Sequence, residues 1–184
     1  MRGVDVAAAA AKIALVCAMT LVFQEASSQQ SRQHLQRVGD IAFGTSFADA
    51  RENSDALIGI GYATWDRRVL KTLGQTRVTL FGTAFNLTYV FGRDDRLTRV
   101  FGSVMRVMVF DKSACLEKGA DLYAATVREF GSPDADKPML SGRAWRFDFA
   151  DGRSIRLRYY FGGILDTCSI MLDSTTPEGR DDHV

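Results

Sequence analysis

Two stretches of this chain repeat one another, and the repeat limits what the chain can fold into. Gly82 to Gly92 reads GTAFNLTYVFG and Gly152 to Gly162 reads GRSIRLRYYFG. Both fit G-x-x-[FI]-x-L-x-Y-x-F-G without a gap. Fixed-period similarity marks a duplicated structural unit. Strands of period two also grow alike by convergence, so both origins stay open. Within each copy the residues alternate as in a half-buried strand. Phe85, Leu87, Tyr89 and Phe91 point one way, and Asn86, Thr88 and Val90 the other. In the second copy Ile155, Leu157, Tyr159 and Phe161 face in, while Ser154, Arg156, Arg158 and Tyr160 face out. One apolar face and one wet face describe an antiparallel sheet covered on one side only.

The flanks repeat as well. A strand precedes each copy, at 77–81 and at 144–150, where Trp145, Phe147 and Phe149 alternate with Arg146 and Asp148. Asp151-Gly152 is a two-residue hairpin signal. A strand also follows each copy, over 97–110 with a bend near Gly102, and over 165–172. A helix precedes each group. Thr45 or Ser46 caps the first, over 47–58. The second covers 111–130, with a core stripe of Leu116, Ala120, Tyr123, Val127 and Phe130, and Gly131 and Pro133 end it. The expected fold class is α+β: an antiparallel sheet of six to eight strands with two helices on one face, built as tandem helix–β–β–β halves (41–110 and 111–173). The first half has room for a further strand near 62–69. These make one domain, 41–173, after a flexible segment, 29–40, and before a disordered tail, 174–184.

The N-terminus has another character. Arg2 and Lys12 lie among alanines, the uncharged run IALVCAMTLVF covers 13–23, and the small residues Ala26, Ser27 and Ser28 follow. A basic start, a short apolar run and a small-residue exit form a secretory signal peptide, 1–28, cleaved after Ser28. Its apolar run spans roughly 16 Å as a helix against the roughly 30 Å of a bilayer core, so no stable membrane span is expected. The competing reading is a cytosolic protein with an apolar N-terminal helix. Cys17 adds another, because a lipoprotein signal resembles this segment; yet Val16 stands where a small residue belongs. Export places the mature chain in the periplasm or outside the cell. There Cys115 and Cys168 meet oxidising conditions and tend to pair; the alternative is two buried thiols acting as small hydrophobes. A net charge of +1 creates no global field towards nucleic acid.

Two further stretches invite comparison. IAFGTSFADA, from Ile41, and REFGSPD, from Arg128, resemble turns in small exported bacterial proteins of unknown function, which carry F-G-x-[ST] before a helix. That resemblance implies a periplasmic α+β domain and no known activity. The tandem helix-plus-sheet plan with a disulfide is similar in architecture to the β-lactamase inhibitor proteins and the related outer-membrane assembly lipoproteins. That likeness implies a sheet face presented to a protein partner.

Catalytic chemistry finds little to use. The two histidines, His34 and His183, lie outside the expected domain, so a Ser-His-Asp or Cys-His unit has no internal base. A zinc site would need the cysteines that a disulfide consumes. Asp94-Asp95 and Asp134-Ala-Asp136 are carboxylate pairs, but they sit in expected turns, where Asp serves backbone conformation. No catalytic residue, metal ligand or cofactor is assigned. Arginine is the remaining skew: 17 Arg against 4 Lys beyond residue 28. Arg143, Arg146, Arg153, Arg156 and Arg158 crowd one hairpin. Arg146, Arg156, Arg158 and Tyr160 form the candidate binding patch, which Arg67, Arg68 and Arg77 extend if the halves join edge to edge. Arg suits planar contact with carboxylate or phosphate; the plainer reading is pairing with Asp148 on a solvated face. The leading expectation is a non-enzymatic envelope protein that binds a protein partner through its exposed sheet face. The alternatives are a binder of a small anionic or lipidic ligand held between sheet and helices, and, third, a carboxylate-dependent hydrolase.

Overall fold

The computed structural model describes residues 36–53, 57–65, 68–104, 111–162 and 167–181. Helix α1 (Phe47–Glu52) precedes four strands: β1 (Leu57–Trp65), β2 (Arg68–Leu80), β3 (Thr83–Phe91) and β4 (Leu97–Ser103). Helix α2 (Lys112–Phe130) leads into four more: β5 (Ala135–Met139), β6 (Gly142–Asp148), β7 (Ser154–Gly162) and β8 (Thr167–Thr175). A last helical turn, α3 (Pro177–Asp181), follows. All eight strands belong to one antiparallel sheet, in the order β1-β2-β3-β4-β8-β7-β6-β5. Each group of four is a meander, and the two meet through their last strands, in register from Arg99 opposite Thr175 to Ser103 opposite Met171.

The α+β class and the antiparallel pairing are as the alternation predicts; that both halves share one sheet, which the alternation leaves open, follows from the β4–β8 pairing. Several details differ. Each meander has four strands, because β5 forms where the sequence points to a turn; Asp136 is therefore a strand residue paired with Trp145. Helix α1 stops at Glu52, well before residue 58. Asn53 ends it by donating both its backbone N–H and its side-chain amide to the Asp49 carbonyl. Three short or long helices are present among the described residues rather than two. The Asp151-Gly152 turn is one residue wider than the two-residue form: Phe149 N–H bonds the Arg153 carbonyl and Gly152 N–H bonds the Phe149 carbonyl. Gly152 sits at φ 79°, which glycine adopts without a Cβ penalty.

The inner face is the one expected of the repeat. Phe85, Leu87, Tyr89 and Phe91 from β3, Trp145 and Phe147 from β6, and Ile155, Leu157 and Tyr159 from β7 are all buried. Helix α2 crosses β6, β7 and β8 on this face. Its buried stripe is Cys115, Gly119, Leu122, Thr126 and Phe130, mostly one residue earlier than the apolar spacing indicates; Ala120 is exposed. The reason is closeness. A Cβ on Gly119 would lie 2.2 Å from the Tyr159 ring, so only glycine lets the helix sit down on β7 there. Thr126 is tolerable in the core because its hydroxyl accepts from the Trp145 indole N–H at 3.0 Å and donates to the Tyr123 carbonyl at 2.9 Å. The Asp111 side chain caps the helix, accepting from Ser113 N–H at 2.8 Å. Those Ser113 bonds hold its carboxyl below the usual range.

Cys115 and Cys168 form a disulfide that ties the first turn of α2 to β8, with Cα atoms 5.5 Å apart and a sequence separation of 53. Closing a loop of that size stabilises the fold by about 4 kcal/mol in the chain-entropy account.

The chain on either side of the expected domain also packs. Val38, in the segment expected to be flexible, enters the core beside Ile41 and Phe43. Asp40 N–H donates to the Tyr89 hydroxyl at 3.2 Å, that hydroxyl donates to Gln75 at 2.5 Å, and the Gln75 amide donates to the Asp40 carboxylate. Burial pushes the Tyr89 phenol up to about 12. At the other end β8 continues to Thr175, and Ser174, Thr175 and Thr176 are buried. Thr176 N–H bonds the Thr98 carbonyl at 3.0 Å. Residues 174–181 thus belong to the sheet and its cover, where the polar sequence reads as a tail. The signal segment with Cys17, both histidines, and the 105–110 end of the expected long strand lie outside the described residues.

Candidate binding face

The outer face of the second meander is where the arginines gather, and strand parity puts them there. In β7, the inward Ile155, Leu157 and Tyr159 leave Arg156, Arg158 and Tyr160 outward and exposed. In β6, inward Trp145 and Phe147 leave Ala144, Arg146 and Asp148 outward. Register then arranges the side chains in rows across the sheet. One row runs Ala135, Arg146, Arg156, Asp173 and Phe101. The next runs Lys137, Ala144, Arg158, Met171 and Ser103. A third places Met139 and Gly142 beside Tyr160 and Ser169. All four patch residues predicted from the sequence therefore share one face.

Within the rows, charge is unevenly matched. Arg146 faces Arg156 directly, an arrangement that destabilises a sheet unless neutralised. Asp148, two residues along β6, takes Arg146 in an ion pair at 2.9 Å. Asp173 stands opposite Arg156, but its carboxylate is held by Arg99 of β4 through two bonds of 2.8 Å. Arg99 also lies 4.1 Å over the Phe101 ring. Arg158 rests its guanidinium on the Met171 sulfur at 3.0 and 3.2 Å. Among the described residues no carboxylate pairs with Lys137, Arg156 or Arg158. The rows enclose a groove of about 490 Å³ whose walls are these cations and whose floor includes Ala135, Ala144, Phe101 and Met171.

The other arginines of the hairpin do not join. Arg143 turns inward to the edge of α2, where its guanidinium sits 3.7 Å over the Tyr123 ring and bonds Asp136 at 2.7 Å. The Arg143 bond holds the Asp136 carboxyl below its ordinary value, and burial raises the Tyr123 phenol. Arg153 pairs with Asp151 at 3.4 Å and lies over Phe43. The extension through Arg68 and Arg77 is not realised. The meanders join through β4 and β8, so β2 lies two strands beyond the seam. Arg77 lines a different groove, between the β2–β3 hairpin and α2, and Arg67 is outside the described residues. Arg99 extends the patch in their place. Its outward parity on β4 is visible in the sequence; that β4 abuts β8 is not.

The remaining carboxylates behave as turn or strand residues. Asp94 accepts from Arg96 N–H at 3.2 Å, Asp95 pairs with Lys71 at 2.6 Å, and Asp134 accepts from Asp148 N–H at 2.8 Å. Among the described residues no cluster of three or more His, Cys, Asp or Glu could hold a metal ion, and no helix is long and apolar enough to cross a membrane. No protein-family model matches the chain, and neither a curated protein nor a solved structure matches it.

Proposed function

We propose that this chain is an exported envelope protein without catalytic activity that binds another protein through the outer face of β4 to β8. The observation that carries the reading is an outer face left open beyond the row of Ser154, Thr175 and Val90, which is buried although the alternation put Val90 and Ser154 on the wet side. Helix α2 and the segment from Val38 to Ala50 pack on the inner face, while the outer face carries an open groove flanked by Arg156 and Arg158, with Tyr160 exposed in the neighbouring row. Arg, Tyr and Met are the residues enriched at interface anchors. Met139 and Leu140, at the β5–β6 turn, extend the surface with exposed apolar side chains. The two meanders, each after a helix, fit the tandem plan of the repeat and its architectural likeness to sheet-face binders.

The test is capture of the tagged, exported protein from its own cell envelope after mild crosslinking. One dominant partner, lost when Ala144→Trp fills the groove, is the expected result. A partner retained in full by that variant would place binding elsewhere.

A second reading has its own observation. A groove of about 1090 Å³ lies between α2 and the β2–β3 hairpin, lined by Phe81, Val104, Ile170, Lys118 and Arg128 among others. It has the size and mixed lining for a small anionic or lipidic ligand. A small molecule retained in native mass spectra of the exported protein, and displaced by Ala125→Trp, would favour it.

A further inference from the structure

The outer-face groove has a charge pattern that says what kind of partner it takes. Its cations lie in two neighbouring rows. Lys137 on β5 and Arg158 on β7 share one row with Met171 on β8, and Arg156 on β7 shares the next with Asp173 on β8 and Phe101 on β4. From β5 to β4 is four strand spacings, about 19 Å, the length of about six extended residues. Arg156 and Arg158 stand about 7 Å apart along β7, so an extended chain passing between them presents alternate side chains to each. Ala144 lies between Lys137 and Arg158 and keeps the path low. At the far end the cations give way to the Phe101 ring, the Met171 thioether and Asp173, whose carboxylate is neutralised by Arg99.

Two further facts narrow the ligand. β6, β7, β8 and β4 are each paired on both sides, so their backbone groups are committed to the ladder. Across these four strands the groove recognises through side chains; of the groove's strands only β5, at the edge of the sheet, has an unpaired side. The three uncompensated cations are also spread out rather than converged on one point. That arrangement suits several carboxylates in a row better than a single phosphate.

We propose that the groove binds an extended acidic segment of a protein partner. Its carboxylates lie against Lys137, Arg158 and Arg156, and an apolar side chain following them rests on Met171 and Phe101. The proposal rests on the protein-binding reading of this face and adds the chemistry of the partner.

The probe is a fluorescein-labelled peptide of consecutive Glu residues ending in Phe-Phe, with the matching Gln peptide as control. The expected result is saturable binding of the Glu peptide, at least about tenfold weaker for the Gln peptide and for Arg156→Ala with Arg158→Ala, and weakening as salt rises. Lys137→Ala, a single exposed substitution, should weaken binding about threefold and serves if the double variant does not fold. Equal binding of both peptides, no saturable binding of the Glu peptide, or binding unchanged by both variants would overturn the proposal. So would loss of binding to phosphatidylserine vesicles in the arginine variant where no peptide binds, which would assign the cations to a membrane. A captured partner that Ala144→Trp releases but the arginine variant keeps would sink the acidic-segment proposal alone and leave the protein-binding face standing.

Discussion

Arg99 holds Asp173 across the β4–β8 seam with two bonds of 2.8 Å, and by doing so it takes from Arg156 the carboxylate that stands opposite it. The two meanders are stitched together by a pair that is mostly buried on the arginine side, at 12% exposure. The same pair leaves the adjacent strand cationic. Structural and binding roles thus meet at one carboxylate.

Arg99→Ala should therefore do two things. It removes a bidentate charged hydrogen bond, costing about 1–3 kcal/mol. It also frees Asp173 to turn to Arg156, so an acidic probe should bind more weakly although Arg156 is untouched. Denaturant melts and probe titrations of the same variant measure both. A stable variant with unchanged probe affinity would show that Asp173 does not re-pair.

Gly119→Ala should destabilise the fold by about 1–3 kcal/mol, the usual cost of overpacking. The new methyl would lie 2.2 Å from the Tyr159 ring, so α2 must lift from β7. Ala120→Gly, one position along and exposed, should cost only about 1 kcal/mol, the helix-propensity difference. Equal losses in thermal melts would mean that the close approach has no energetic weight.

Reducing the Cys115–Cys168 bond should lower stability by about 4 kcal/mol. Intact mass after alkylation of the unfolded chain, with and without reductant, should show these two thiols blocked only after reduction. Two alkylatable thiols without reductant would contradict the bond.

Stability should fall at alkaline pH through Tyr89. Its folded value, about 12, lies above the ordinary 10.0 because burial disfavours the phenolate. Below pH 10 the phenol is neutral in both states and its contribution is fully present. Between pH 10 and 12 the unfolded chain releases the proton and the folded chain keeps it, so stability drops as pH rises. Tyr89→Phe should flatten that limb. It should also cost about 1–3 kcal/mol at neutral pH by stranding Gln75 and the Asp40 N–H. Urea melts at several pH values check the sign.

Much of the sheet was legible because period two is a local property. Each of Phe85, Leu87, Tyr89 and Phe91 needs only its own neighbours to declare a face, and all four are buried. Arg146, Arg156, Arg158 and Tyr160 share a face for the same reason. The α2 stripe misled because Gly119 and Thr126 are small or polar and give no apolar signal of their own, and Cys115 is a small side chain. They face inward for reasons that lie on other strands: a sulfur on β8, a ring on β7, an indole on β6. The C-terminal stretch read as a tail because its strand partners are Thr98 and Ser154, far away in the chain.

By itself the sequence determined the α+β class, the two-faced strands, the inward sides and the presence of an arginine-rich outer face, since all of these follow from spacing within a few residues. The tertiary structure alone decided which strands adjoin. Placing β4 against β8 brought Arg99 to Asp173 and Phe101 alongside the arginine and Met171 rows, turning exposed cations into a groove with a charged and a more apolar end. Such pairings depend on backbone hydrogen bonds that are nearly the same for every strand, so no single residue announces them. Only the combined burial of both meanders selects the seam.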